Sequence, residues 1–227
     1  MANNGPRSIG MIMDGNRRWA RERGLETLEG HRAGAEKIFE VASWAHAVGV
    51  EEIILYAFST ENWNRAEAEV EYLMALTENL FTERLDDFLK ASVRVRFAGD
   101  LSRVNDRLRG VMQETEEKTS QGEKGTLVFA FSYGGRTEIV TAVNTLLAEG
   151  VSEVDEAAFS KALWTADFQD PDLILRTGGE HRLSGFLPWQ SVYSELFFTD
   201  TKWPDLYAEE FMGVIETVRT RDRRHGK

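Results

Sequence analysis

Six short apolar runs, at 9–13, 52–59, 93–98, 126–132, 173–176 and 195–198, restrict the fold of this chain more than any other feature of its sequence. Between them lie stretches with helical spacing of apolar residues, at 17–23, 30–48, 66–90, 101–121, 137–149, within 151–168 and at 207–221. Such alternation predicts one α/β domain over residues 1–227, with 1–7 expected to be flexible. Its centre is a mostly parallel sheet of about six strands, flanked by helices and wound with right-handed crossovers. In sheets of that kind ligands bind beyond the carboxyl ends of the strands. Three of the runs end in polar loops, which therefore fall along one sheet edge: Asp14 to Arg18, Ser59 to Arg65, and Arg176 to Ser184.

The first loop has the clearest chemistry. A carboxylate, Asp14, sits where a strand ends and a helix begins, beside Arg17 and Arg18. Guanidinium forks match phosphate oxygens, and Mg²⁺ prefers one or two carboxylates plus substrate phosphates, so the group suits a Mg-diphosphate. The bland alternative is a turn with an N-cap. In the third loop Arg176 and Arg182 bracket two glycines and precede Ser184, which reads either as an anion cradle or as arginines paired with Glu180, Asp172 or Glu195. Glu195 opens an apolar run and needs a salt bridge or a metal if buried. The apolar stripe from Val70 to Phe88 reads first as core and second as a lipid-lining face.

Composition narrows the function. The net charge of −11 argues against nonspecific attraction to nucleic acid or an anionic leaflet, so arginines must hold any anionic substrate locally. Without cysteine there is no thiolate catalysis, disulfide or Cys-bound zinc. No apolar run approaches the ~18 residues of a spanning helix and residues 1–7 lack signal-peptide character, so a cytoplasmic, soluble protein is expected. No Walker A, Gly-x-Gly-x-x-Gly or His-Glu-x-x-His pattern occurs, and the four histidines show no metal-ligand spacing.

Taken together, Met13 to Ala20 (MDGNRRWA), Gly30 to Gly34 (GHRAG), Tyr56 to Arg65 (YAFSTENWNR), Arg176 to Ser184 and Trp189 to Leu196 closely resemble the cis-prenyltransferases of the undecaprenyl diphosphate synthase type, in unbroken order from about residue 8 to 226. The resemblance implies a homodimer with an apolar tunnel that condenses isopentenyl diphosphate onto an allylic diphosphate, farnesyl or geranyl. The product would be a Z-polyprenyl diphosphate, the undecaprenyl carrier of bacterial wall synthesis first and a short-chain product second, with transient membrane-surface contact for its release. It also implies Asp14 as the catalytic acid working with Mg²⁺. Gly15, Asn16, Arg17, Arg18, Trp19 and His31 fall at the allylic site. Ser59, Thr60, Glu61, Trp63 and Arg65 lie in a substrate-contacting loop, with Asn62 at the position assigned as proton acceptor. Arg176, Arg182, Leu183 and Ser184 match the isopentenyl diphosphate site, Glu195 a metal ligand from the neighbouring subunit, and Arg224 and Gly226 a C-terminal Arg-x-Gly.

An amide does not accept a proton near neutral pH, so Asn62 is better suited to orienting a water or the diphosphate. Departures from the family pattern are Ser8, Arg17, Thr27 and Ser132, where His, Gly, Arg and Asn respectively are usual. Arg17 is expected to compensate for the guanidinium missing at Thr27. Ala57 and Gly125 are expected to leave tunnel room, and Phe129 and Phe131 to narrow it. The rivals from other classes are a non-catalytic partner subunit, against which Asp14, Arg176, Arg182 and Ser184 speak together, and a phosphohydrolase using Asp14 and Mg²⁺.

Overall fold

A computed structural model describes residues 5–221. The chain runs β1 (Ser8–Ile12), α1 (Asn16–Glu22), α2 (Thr27–Ala47), β2 (Glu52–Ser59), a 3-10 turn (Thr60–Asn64), α3 (Glu67–Glu83), α4 (Leu85–Ala91) and β3 (Arg94–Ala98). After a 3-10 turn (Leu101–Arg103) come α5 (Asp106–Thr119), β4 (Thr126–Tyr133), α6 (Gly135–Ala148), α7 (Glu156–Lys161), β5 (Leu173–Arg176) and β6 (Glu195–Phe198). A last 3-10 turn (Trp203–Asp205) leads into α8 (Ala208–Thr220). The six strands form one sheet in the order β3-β4-β2-β1-β5-β6, and every neighbouring pair is parallel.

Strand alternation decides which side chain meets which layer. Ile9, Met11, Ile53, Leu55, Leu127, Phe129, Leu173 and Leu175 join Ile38, Val41 and Ala45 of α2, Phe81 of α3, Phe88 of α4 and Val214, Ile215 and Val218 of α8 in the main core. The intervening residues Ile12, Ile54, Val128, Ala130 and Ile174 face the other way and pack against Phe186 and Leu187. On this second side Ala142 and Leu146 of α6 close over Phe159 and Leu163. Both faces of the strands are thus apolar, as a parallel sheet requires.

Three helices are shorter than their periodicity suggests. The expected helix at 66–90 breaks at Arg84 (φ −105°, ψ 9°), whose guanidinium bonds Asp87 and reaches Glu36 on α2 at 2.5 Å while lying over the Phe39 ring. Those contacts turn the chain so that Phe88 can enter the core beside Phe39. At 101–121 the helix starts only at Asp106, because the Asn105 side chain caps it by accepting from Leu108 N at 2.9 Å. Within 151–168 a single short helix forms, and the following backbone is held instead by Glu138, which accepts from Thr165 N at 3.1 Å. Of the expected flexible start, residues 5–7 are described, and Arg7 is tied to Asp172 and Glu51.

At the amino-terminal edge of the sheet Glu52 is buried, its Oε1 accepting from Ser8 Oγ at 3.2 Å and from Gln169 N at 2.9 Å. Burial raises its carboxyl above the ordinary value of about 4.5. The folded state therefore holds this proton more tightly than the unfolded chain, and stability is lost as pH rises from about 4.5 through the higher folded value. Glu52→Gln keeps Oε1 as the acceptor and removes the titration. Its urea midpoint, relative to the unmutated protein, should improve as pH rises through that window; a difference independent of pH would refute the assignment.

Candidate active site

Asp14 follows β1 at the carboxyl edge of the sheet, in a turn that only glycine fits comfortably. Gly15 has φ 108°, and a Cβ there would lie 2.9 Å from Lys202 Cβ. The main chain of Asp14 is fixed from below, its carbonyl accepting from Thr177 Oγ1 at 2.8 Å and from Trp203 N at 3.0 Å. Its carboxylate accepts from Gly15 N at 2.6 Å and from Arg176 Nη2 at 2.9 Å, and lies 3.2 Å from Arg18 Nη2. Arg176 is 162 residues away in sequence, yet β1 and β5 are register neighbours, Ile12 opposite Arg176. Its side chain is only 5% exposed and also donates to Ser184 Oγ at 2.9 Å and to the Arg182 carbonyl. The first and third polar loops thus meet at the Asp14–Arg176 ion pair, with Arg18 also 3.9 Å from Glu180.

Two hollows share Asp14. One, of about 640 Å³, is lined by Asp14, Asn62, Arg65, Arg136, Arg176 and Ser184. The other, of about 700 Å³, is lined by Asp14, Arg17, Arg18, Arg21, Thr27 and His31. Beneath them an apolar pocket of about 100 Å³ runs between the sheet and α2 and α3, walled by Leu73, Leu76, Leu80, Phe81, Phe129 and Phe131. Leu73, Leu80 and Phe81 of the Val70 to Phe88 stripe therefore do face a cavity, Phe81 also belonging to the main core with Phe88. Ala57 borders the pocket as well. Gly125 does not: it precedes β4 at the opposite edge, beside Glu51 O, so the expectation that it gives tunnel room is corrected.

The middle loop adds Ser59, Glu61, Asn62 and Arg65 to the cavity wall. Asn62 Oδ1 accepts from Ser59 N at 3.1 Å, leaving only the amide NH₂ to face a ligand. That arrangement suits a donor to phosphate or water and not a base. Thr60 lies against Gly134, and Trp63 donates from Nε1 to Ser132 Oγ at 3.0 Å. Ser132 has φ 51°, in the left-handed region that asparagine tolerates well, which gives a backbone reason for the usual Asn there. Tyr56 points its hydroxyl at Ser184 O, 3.3 Å away, and burial, then the charge of Glu61, push its pKa up, so it remains a donor.

Glu69 escaped the reading of the sequence, although it stands one helical turn after Arg65. Its Oε1 accepts from Arg65 Nη1 at 3.1 Å and lies 3.3 Å from His31 Nε2 and 3.9 Å from Arg17 Nε. Burial lowers the His31 pKa below the ordinary imidazole value, opposed by its hydrogen bond to Glu69. One carboxylate thus gathers three side chains that face Asp14. Arg136, to which the sequence assigns no role, also lines the first hollow.

Several expected residues lie elsewhere. Trp19 is turned away, donating to Asp205 Oδ1 at 2.7 Å with Arg23 over its ring. Arg182 is bonded to Glu180, the pairing its loop offered as an alternative, and Leu183 packs in the second-side core. Glu195 opens β6 in register with Leu173, at the far edge of the sheet from Asp14, and bonds Arg221. Arg224 and Gly226 lie outside the described residues.

A family model described as "Putative undecaprenyl diphosphate synthase" matches residues 12–226, which contain every side chain of both hollows. The chain belongs to the undecaprenyl diphosphate synthase family. Among its relatives in that family, the isoprenyl transferase of Thermotoga maritima is 42% identical over 226 residues, covering 97% of each chain. Two solved structures of the same architecture are a lavandulyl diphosphate synthase from Lavandula x intermedia in complex with dimethylallyl diphosphate (TM-score 0.94, 29% identity, 99% of each chain) and a "probable undecaprenyl diphosphate synthase" from Campylobacter jejuni (TM-score 0.84, 33% identity, 98% of this chain and 99% of that one). The protein is accordingly an isoprenyl transferase.

Whether the site suits a divalent cation can be judged from its donors. Among the described residues no group of three or more His, Cys, Asp or Glu could enclose a metal unaided. Mg²⁺ does not need such a cage, since it binds through one or two carboxylates and the phosphates of a substrate. Asp14, lining both hollows, fits that role. Among the described residues no helix is long and apolar enough to cross a membrane.

Proposed function

We propose that this protein condenses isopentenyl diphosphate onto an allylic diphosphate, farnesyl or geranyl, forming a Z double bond and releasing diphosphate, with Mg²⁺ required. The observation that carries the reading is the shared wall: Asp14 stands between two hollows, each with its own arginines. The hollow with Arg17, Arg18 and His31 suits the allylic diphosphate, and the one with Arg176 and Ser184 the incoming five-carbon unit. Breaking the allylic C–O bond builds negative charge on the leaving group, and guanidinium donors already in place lower that barrier. Mg²⁺, when bound by Asp14 and the phosphates, would supply further charge neutralisation. Arg18 holds the carboxylate of Asp14 toward the departing oxygens, and Asn62 donates its amide to a water or to the diphosphate that takes the proton.

The apolar pocket beneath would receive the growing chain. A full undecaprenyl product is the first reading, as the family's description suggests. A short-chain product is the second, favoured by one feature: a dry cavity of ~150 Å³ holds little more than benzene, and the space walled by Phe81, Phe129 and Phe131 measures about 100 Å³. Incubation with labelled isopentenyl diphosphate, farnesyl or geranyl diphosphate and Mg²⁺, followed by chromatography of the dephosphorylated product, reads the chain length. Release of free phosphate without organic-soluble label would indicate a phosphohydrolase and refute the proposal.

A homodimer is part of this reading. Strand β6 is a sheet edge, and Val192 (70%), Tyr193 (68%) and Leu196 (43%) are exposed there, apolar area of the kind that a second copy covers. Glu195 would act across that contact. A cytoplasmic location, with brief contact at a membrane surface as the lipid leaves, completes the proposal. Arg17 supplies its own test, being more than half exposed beside the allylic hollow where Thr27 offers no charge. Arg17→Gly should raise the KM for the allylic substrate about ten-fold or more, the value of one lost charge-assisted bond. An unchanged KM would show that Arg17 does not compensate for Thr27.

A further inference from the structure

The cradle expected for the five-carbon substrate has lost one of its two arginines to another partner. Arg182 bonds Glu180 and does not line the cavity, contributing to it only the carbonyl that Arg176 holds. Arg176 is itself occupied by Asp14, Ser184 and that carbonyl. A diphosphate carries several negative charges and must also overcome the −11 of the whole chain. The cavity therefore needs another cation, and its lining contains one that is not engaged.

That residue is Arg136. It is exposed and lines the same cavity as Arg176 and Ser184, and among the described residues it has no ion pair and no side-chain hydrogen bond. It sits in the first turn of α6, whose N-cap, Gly134, has no side-chain cap. Gly135 N is taken by Gly185 O at 2.8 Å, whereas the N–H groups of Arg136 and Thr137 have no backbone acceptor. Packing forces the helix start into this place: a Cβ on Gly134 would lie 2.4 Å from Thr60 Oγ1, and one on Gly135 2.0 Å from Pro188 Cδ. Two glycines thus let the helix wedge between the second and third polar loops. The Arg176 guanidinium lines the same cavity, is buried, and has an Nε with no acceptor.

We propose that Arg136, with the open N–H groups at the start of α6, binds the diphosphate of isopentenyl diphosphate opposite Arg176 and Ser184. The assignment rests on the reaction proposed above and adds a binding residue to it. Arg136 supplies a two-pronged donor, the helix start supplies backbone donors, and Arg176 and Ser184 hold the far side. Arg182 then serves through its backbone, keeping Arg176 in place.

The experiment is steady-state kinetics on Arg136→Gln and Arg136→Lys beside the unmutated enzyme, varying each substrate with the other saturating. For Arg136→Gln the KM of isopentenyl diphosphate should rise at least about ten-fold, the worth of a charge-assisted bond. The allylic KM and the thermal midpoint should stay unchanged, and Arg136→Lys should recover part of the loss. A merely structural role would move both KM values or the midpoint together. An isopentenyl diphosphate KM that does not change, or a rise shared equally by both substrates, overturns the assignment while leaving the function intact. An unmutated enzyme that does not consume isopentenyl diphosphate overturns both.

Discussion

Asp14→Asn should lower turnover of labelled isopentenyl diphosphate roughly a hundred- to a thousandfold while the protein stays folded. Asp14 is the one carboxylate that lines both hollows, and loss of a preorganised group at a developing charge commonly costs two to three orders of magnitude (roughly 10²–10³). The amide retains an oxygen for Arg176 Nη2 and Gly15 N, the contacts seen at 2.9 and 2.6 Å. Asp14→Ala should be as inactive but also less stable, because it leaves the Arg176 guanidinium buried with one acceptor fewer. Comparing the two separates charge from scaffold. Retention of more than about a tenth of turnover by Asp14→Asn, far outside the usual range for such groups, would contradict the assigned role.

The largest effect on stability is expected at Trp203. Its ring is fully buried among the main-core residues, its Nε1 donates to Gly34 O of α2 at 2.7 Å, and its N–H donates to Asp14 O at 3.0 Å. Trp203→Ala should cost about 3–5 kcal/mol, the range for emptying a large aromatic site. Trp203→Phe keeps much of the packing and loses the indole donor, which should cost about 1 kcal/mol more than the change in volume. Urea denaturation measures both. A loss below about 1 kcal/mol for the alanine variant would mean that the site behind Asp14 collapses to fill the space.

Much of this was legible in the sequence because apolar period and turn chemistry are local. The runs at 52–59, 173–176 and 195–198 became strands with the same bounds. The three polar loops converge because every strand is parallel, so each strand's carboxyl end points the same way. What the sequence hides is pairing. Nothing local says that Arg84 prefers Glu36 and Asp87 to a continuing helix, or that Arg182 turns to Glu180. Glu69 and Arg136 were overlooked for a similar reason: an acid in a helix and an arginine after two glycines look like surface until the fold shows which space they border.

The sheet order has one more consequence. β1, which carries Asp14, lies between β2 and β5. On a ribosome β2 emerges soon after it, but Arg176 of β5 is made 162 residues after Asp14, and the Trp203 turn later still. Until then the nascent chain carries Asp14 beside a strand with one unpaired edge, with Arg18 near its carboxylate but without Arg176. Assembly of the Asp14–Arg176 pair therefore waits for the last third of translation, and a chain stopped short of residue 173 would expose a hydrophobic ladder available for mispairing.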